Sequence, residues 1–189
     1  MKRSIALSAV VLPILGLGTV AAGAQSRPAP AAVGQSQMPM AEMGEMHKPA
    51  SPAGPLVVMF GDKSATWTTA NLALLPHVTL TVHNEHTKAD ETYSGVPVIA
   101  LLTQLGVNDK PHGKDLLLYV VAAGSDGYKA VYSIGEVTPD VHDGTVIVAD
   151  TESGKPLAGD GPLKLVGAGD KRPARWVRNL VALKVKTAD

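Results

Sequence analysis

From residue 55 onward, turns rich in glycine, proline and aspartate divide the sequence into short apolar segments. Segments of this length, several of which alternate apolar and polar residues, are typical of β-strands. The predicted strands cover residues 56–60, 78–82, 116–122, 128–132, 146–149, 163–166 and 180–185. This pattern limits the chain to a fold built mainly from β-sheet.

Two of the predicted connections are hairpins. Gly124-Ser125-Asp126-Gly127 is a strong turn signal between the apolar stretch 116–122 and the alternating stretch 128–132, which predicts an antiparallel pair. The polar stretch from His83 to Thr92 follows strand 78–82 and is predicted to be a hairpin loop.

Helical periodicity is clear in one segment only. Pro97 is predicted to open a helix, where proline costs least, and Gly106 is predicted to end it. The apolar face of this helix is formed by Val98, Leu101, Leu102 and Leu105. A single helical turn is predicted at 134–137. Several strands with few short helices predict an α+β domain with a β-rich mixed sheet.

The N-terminus has the pattern of a secretory signal peptide. Lys2 and Arg3 precede an almost wholly apolar stretch that ends in Ala22-Gly23-Ala24, which predicts residues 1–24 as a cleavable signal. A retained membrane anchor is the alternative. Residues 25–54 are rich in Pro, Ala, Gly, Ser and Met and lack periodicity, which predicts a disordered linker before a domain at 55–189. We therefore expect a periplasmic or secreted protein with no membrane anchor after cleavage.

Composition excludes several kinds of site. The sequence contains no cysteine, which excludes disulfides, thiol catalysis and thiolate metal ligands within these residues. The formal net charge is zero, so no overall basic excess favours a nucleic-acid partner.

Positive charge is concentrated between residues 164 and 186, where only Asp170 opposes it. The cations in this stretch are Lys164, Lys171, Arg172, Arg175, Arg178, Lys184 and Lys186. Gly167 and Gly169 lie just before the densest part, where backbone amides could approach an anion. The stretch fits either a site for a small anionic ligand or a solvated basic face with Trp176 as a core anchor.

Five short motifs occur in one order with compatible gaps. They are Tyr93-Ser94-Gly95-Val96-Pro97-Val98 with Leu101-Leu102, Asp126-Gly127-Tyr128, Gly154-Lys155-Pro156-Leu157, Gly161-Pro162-Leu163, and Gly169-Asp170-Lys171-Arg172 with Arg175-Trp176-Val177. Together they resemble the oxidoreductase molybdopterin-binding domain, the sulfite-oxidase fold, in its small single-domain bacterial members. The resemblance spans about residues 56–187.

The resemblance implies a molybdopterin cofactor and identifies where this chain departs from the family. Catalytic members ligate molybdenum with a cysteine thiolate, and the corresponding place here is near Val82-His83, where no cysteine stands. The family's pterin-phosphate run is matched by Arg172 to Trp176, with Arg175 in place of lysine. The cofactor-binding candidates implied in this way are Gly169, Lys171, Arg172 and Arg175.

Two sets of residues are candidate metal ligands. His83 and His86 lie in the loop that replaces the cysteine turn, and imidazole suits zinc or copper. Soft thioethers at short spacing favour copper(I), and the linker carries Met38, Met40, Met43 and Met46 with His47. The alternatives are loop histidines that face water and a low-complexity linker in which methionines happen to cluster.

Three functional hypotheses follow. The first is an exported, cofactor-degenerate member of the molybdopterin-binding oxidoreductase fold that binds a small anion or a pterin-like ligand. The second is an active molybdenum oxidoreductase with a non-cysteine ligand. The third is a periplasmic copper-binding protein that uses the Met-rich linker. The resemblance implies an enzyme, whereas the missing cysteine argues against redox catalysis at molybdenum.

Overall fold

The computed structural model describes residues 54–188. The strands are β1 Leu56–Phe60, β2 Lys63–Trp67, β3 Val78–Asn84, β4 Ala89–Pro97, β5 Leu118–Gly124, β6 Lys129–Ser133, β7 Val146–Glu152, β8 Lys155–Pro156, β9 Lys164–Gly167 and β10 Leu180–Thr187. The α-helices are α1 Thr69–Leu72, α2 Val98–Thr103 and α3 Ile134–Val137, and two 3₁₀ helices cover Gly113–Leu117 and Pro173–Arg175. None of the helices in this part of the chain is long and apolar enough to cross a bilayer. The predicted signal peptide, and the predicted linker apart from Gly54, lie outside the described residues.

The strands form two five-stranded sheets. The first sheet has the order β2-β1-β10-β5-β6, in which β1 and β10 run parallel and the other neighbours are antiparallel. The second sheet has the order β3-β4-β7-β8, and β9 also pairs with β7. The predicted α+β, β-rich architecture is confirmed.

The second sheet is buried on both faces near its centre, because alternate residues of a strand point to opposite sides. Val146 and Val148 of β7 join the larger core cluster, which lies between the two sheets and includes the buried face of α2. Ile147 and Ala149 of the same strand join a smaller cluster on the other face. The members of this outer cluster are Val82, Tyr93, Ile147, Ala149, Leu157, Val166 and Trp176.

The predicted loop from His83 to Thr92 is wrong in its extent. β3 continues to Asn84 and β4 begins at Ala89, so the turn contains only residues 85–88. Cross-strand side-chain hydrogen bonds explain the longer pairing. His83 Nδ1 lies 2.8 Å from Asp90 Oδ1, and Asn84 Nδ2 donates to Glu91 Oε1 at 2.8 Å. Such pairs stabilise a ladder that has few apolar residues.

Other boundaries also differ from the prediction. Leu116 and Leu117 belong to a 3₁₀ helix rather than to β5 and are about half exposed, at 48% and 49%. The sequence does not predict β2, because only Ala65 and Trp67 of this five-residue segment are apolar and the strand lies at the edge of its sheet. The strand exists because it pairs with β1 along its full length.

A β-bulge in β7 brings Asp150 to His77. Thr151 pairs with Ser94 and Ala149 pairs with Gly95, which leaves Asp150 as the extra residue. His77 Nε2 lies 2.9 Å from Asp150 Oδ2, and its Nδ1 lies 2.7 Å from the carbonyl oxygen of Leu75. Both ring nitrogens therefore face acceptors, which favours the imidazolium. The hydrogen bond to Asp150 raises the pKa of His77, while partial burial opposes the shift.

We expect this pair to make the stability of the domain pH-dependent. Because the folded-state pKa of His77 is raised, its contribution is fully present below its unfolded pKa of about 6.5 and is lost as pH rises through the folded pKa. Thermal melts of the wild type and of His77→Gln should differ most at mildly acidic pH and converge at alkaline pH. A difference in melting temperature that stays constant with pH would contradict this assignment.

Candidate functional site

A cleft on the outer face of the second sheet separates the β3–β4 turn from the segment 168–178. Three neighbouring cavities form it. The outer cavity, of about 410 Å³, lies between Glu85, His86 and Lys88 on one side and Arg172, Pro173 and Ala174 on the other. The inner cavity, of about 210 Å³, shares His86 and Pro173 with it. The side cavity, of about 330 Å³, shares Glu85 and reaches Val82, His83 and residues 168–171. The fold thus places the β3–β4 turn, which carries His86, next to the segment 168–178.

Lys171 and Arg172 are exposed, and neither has an ion-pair partner within residues 54–188. Arg172 has extended backbone immediately before the 3₁₀ helix that begins at Pro173, so its side chain belongs to a loop. It lines the outer cavity, and Lys171 lines the side cavity. These two cations can give charge-assisted hydrogen bonds to an anion in the cleft.

Arg175, the other predicted arginine, is held within the protein. Its guanidinium donates to Asp170 Oδ1 and, at 2.7 Å, to Glu136 Oε1, and it stacks on the ring of Tyr132 at 4.3 Å. Two carboxylates thus balance one cation. Arg175 therefore anchors the segment 168–178 to β6 and α3. Its charge is neutralised by carboxylates of the protein and is not available to a ligand.

The two glycines before the basic run also have a packing role. A Cβ at Gly167 would lie 2.9 Å from Asp170 Oδ2, and one at Gly169 would lie 2.9 Å from His142 Cε1. The absent side chains let the Asp170 carboxylate and the His142 ring approach the backbone. Close approach of an anion is therefore not needed to explain glycine at either position.

The structure does not bring His83 and His86 into a group of three or more metal-binding side chains within residues 54–188. His83 points outward from β3 and pairs with Asp90, whereas His86 lies in the turn and lines the outer and inner cavities. Within residues 54–188, no group of three or more His, Cys, Asp or Glu side chains is arranged to hold a metal ion. The methionine set and His47 lie outside the described residues, so that prediction stays open.

The inner cavity contains a buried lysine that sequence reasoning did not select for this role. Lys164 is 4% exposed, and its Nζ lies 2.7 Å from Asp160 Oδ2 and donates to the hydroxyl of Tyr93 at 2.8 Å. The ammonium also lies 4.6 Å from the ring centroid of Tyr93 and 5.2 Å from that of Trp176. The available signal was a lysine among apolar residues of a buried strand, which is rare unless the charge is paired.

Tyr93 and Glu91 extend this network toward the β3–β4 turn. The phenol of Tyr93 donates to Glu91 Oε2 at 2.8 Å, and Glu91 Oε1 accepts from Asn84 and Thr87. Burial, with the adjacent Glu91 carboxylate, raises the pKa of Tyr93 far above its ordinary range. Although desolvation opposes it, hydrogen bonds from Asn84, Tyr93 and Thr87 hold the pKa of Glu91 below its ordinary value. At neutral pH the pair is a neutral phenol and a carboxylate.

No family model and no curated protein matches the chain. Among solved structures, the sulfane dehydrogenase SoxCD from Paracoccus pantotrophus is similar, with a TM-score of 0.55 and 21% sequence identity. The match covers 71% of this chain and 39% of that one. The fold is of the sulfite-oxidase molybdopterin-binding type. This chain spans well under half the length of the structure that it matches.

The residues of this sulfite-oxidase-type domain fit only part of a molybdopterin. Where the resemblance puts the cysteine of catalytic members, Val82 is buried in the outer cluster and His83 is paired with Asp90, and the sequence offers no thiolate. Lys171 and Arg172 fit a phosphate group, because both cations are free and line the cleft. The donor set therefore fits an anionic group and does not fit molybdenum held by sulfur.

Proposed function

We propose that this protein is an exported, cofactor-degenerate relative of the molybdopterin-dependent oxidoreductases that binds a small anion or a pterin-like ligand. The supporting observation is the pair of free cations, Lys171 and Arg172, beside a cleft of sufficient size for a small molecule. The signal-like N-terminus supports export to the periplasm or beyond.

The charges around the outer cavity favour an anion there. Lys88 Nζ lies 2.5 Å from Glu85 Oε2, so these two charges offset each other. Arg172 remains as the uncompensated charge of this cavity, and Lys171 adds a second charge beside it. A guanidinium can form two parallel hydrogen bonds with a phosphate or carboxylate, which gives orientation as well as affinity.

Oxidation chemistry at molybdenum does not belong to this proposal, because the sulfur donor used by catalytic members has no counterpart in the sequence. The competing hypothesis is a working molybdenum enzyme with another ligand. Elemental analysis of protein purified from a host that makes molybdopterin separates the two. Stoichiometric molybdenum together with sulfite oxidation would favour the enzyme and exclude the degenerate domain.

Replacing Arg172 with alanine is expected to weaken phosphate binding about tenfold. This is the lower end of the range for hydrogen bonds to charged groups, since Arg172 is exposed to water. Stability should change little because the side chain is exposed. Isothermal titration with inorganic phosphate measures the affinity.

Lys186→Ala is the matched control, since it removes one exposed cation from β10 of the first sheet, and this residue lines none of the three cavities of the cleft. It should leave phosphate affinity nearly unchanged. Equal losses in both variants would mean that phosphate senses only the overall charge. Absence of phosphate binding by the wild type, with no response to molybdopterin either, would remove the proposed function.

A further inference from the structure

We propose that the inner cavity binds the cationic end of a zwitterionic ligand whose anionic end is held at Arg172. This inference rests on the proposed anion-binding function and names the class of ligand: a small molecule that carries a primary ammonium and a phosphate or sulfonate. The two cavities adjoin, since His86 and Pro173 line both of them.

The inner cavity is built from side chains of separate parts of the chain. Those that carry charge or a phenol are Glu91, Tyr93, Glu152, Asp160, Lys164 and Arg178. They come from β4, β7, β9 and the loops next to β9 and β10, and the fully buried Lys164 forms part of the wall. A buried polar network of this kind is costly unless satisfied, and convergent polar groups with shifted pKa values in a cleft are typical of binding sites.

Hydrogen bonding within the cavity satisfies two of its three carboxylates. Asp160 accepts from Lys164 at 2.7 Å and pairs with Arg178 Nε at 3.0 Å. Glu91 accepts from Asn84, Thr87 and Tyr93. Both carboxylates therefore have their partners within the protein.

Glu152 is the carboxylate that remains. Within residues 54–188 its side chain has no hydrogen-bond or ion-pair partner, although it is only partly exposed. It stands opposite Tyr93 in the β4–β7 ladder, which places it at the rim of the Lys164 network. With three carboxylates against two cations, the cavity carries one uncompensated negative charge. An ammonium donating to Glu152 completes the balance, whereas a second anion would not.

A pair of isosteric ligands tests this directly. In 2-aminoethyl phosphate an ammonium stands where propyl phosphate has a methyl group, and the anionic end is the same. Isothermal titration of the wild-type protein should show about tenfold tighter binding of the amine. In Glu152→Gln the two ligands should bind equally, at the affinity of propyl phosphate for the wild type. Asp140→Asn, which removes an exposed carboxylate beyond α3, should keep the preference.

The outcomes separate this inference from the function on which it rests. If propyl phosphate binds and the amine binds no tighter, the cationic subsite is excluded while the anion site stands. A loss of preference in Asp140→Asn equal to that in Glu152→Gln would also exclude it, because the effect would then be long-range charge. If neither phosphate binds to the wild type, this inference fails, and the proposed function fails with it only if molybdopterin does not bind either.

Discussion

Replacing Trp176 with alanine is expected to lower the free energy of unfolding by about 3–5 kcal/mol, the usual cost of truncating a large aromatic residue in a core. Trp176 is 5% exposed and meets the ring of Tyr93 edge to face, with centroids 5.8 Å apart. Its indole N–H donates to the carbonyl oxygen of Gly167 at 3.3 Å. The side chain thus covers the outer cluster and fixes the segment that carries Arg172.

Urea unfolding of Trp176→Ala, Trp176→Phe and Arg172→Ala measures this effect. Phenylalanine should recover much of the loss because it refills part of the volume, and Arg172→Ala should unfold close to the wild type. If Arg172→Ala were as unstable as Trp176→Ala, the basic run would be part of the structural core. The anion site would then lose its support.

Replacing Asp160 with alanine is expected to lower the free energy of unfolding by about 3 kcal/mol. This value is at the lower end of the range for removing one partner of a buried ion pair. The Asp160 carboxylate is 20% exposed, but the Lys164 side chain is only 5% exposed. Without Asp160, the ammonium keeps the hydroxyl of Tyr93 and two ring faces but loses its counter-charge.

The combined variant Lys164→Met with Asp160→Asn should be more stable than Asp160→Ala alone, because it leaves no unpaired buried charge. Urea unfolding of the wild type, Lys164→Met, Asp160→Asn and the combined variant gives the coupling energy. A loss below about 1 kcal/mol for Asp160→Ala would show that solvent already reaches Lys164.

Local patterns in the sequence predicted the elements that depend on local interactions. The turn at 124–127, the helix that begins after Pro97 and the helical turn at 134–137 all follow from a few adjacent residues, and the structure has each of them. β2 and the extension of β3 depend on pairing with another strand, so their own residues did not distinguish them from loops.

The candidate functional site also has features that local sequence predicts and features that depend on long-range contacts. The basic run and the histidine turn were visible as residue types, and the resemblance placed them together. The contacts that decide the role of each residue join positions far apart in sequence. Arg175 meets Glu136 across 39 residues, and Lys164 meets Tyr93 across 71. No spacing rule predicts such pairs, because they depend on the order and pairing of the strands in the fold.

The position of β10 in the first sheet has a consequence for the order of folding. β10 is the central strand of that sheet and joins β1 to β5, yet it comes last along the described chain. A polypeptide that emerges N-terminus first, from a ribosome or a translocation channel, exposes β1 long before its parallel partner exists. Until residue 187 has emerged, β1 with β2 and β5 with β6 can form only separate hairpins. The first sheet therefore cannot close until β10 is available, and chaperones that protect unpaired strand edges would act during that interval.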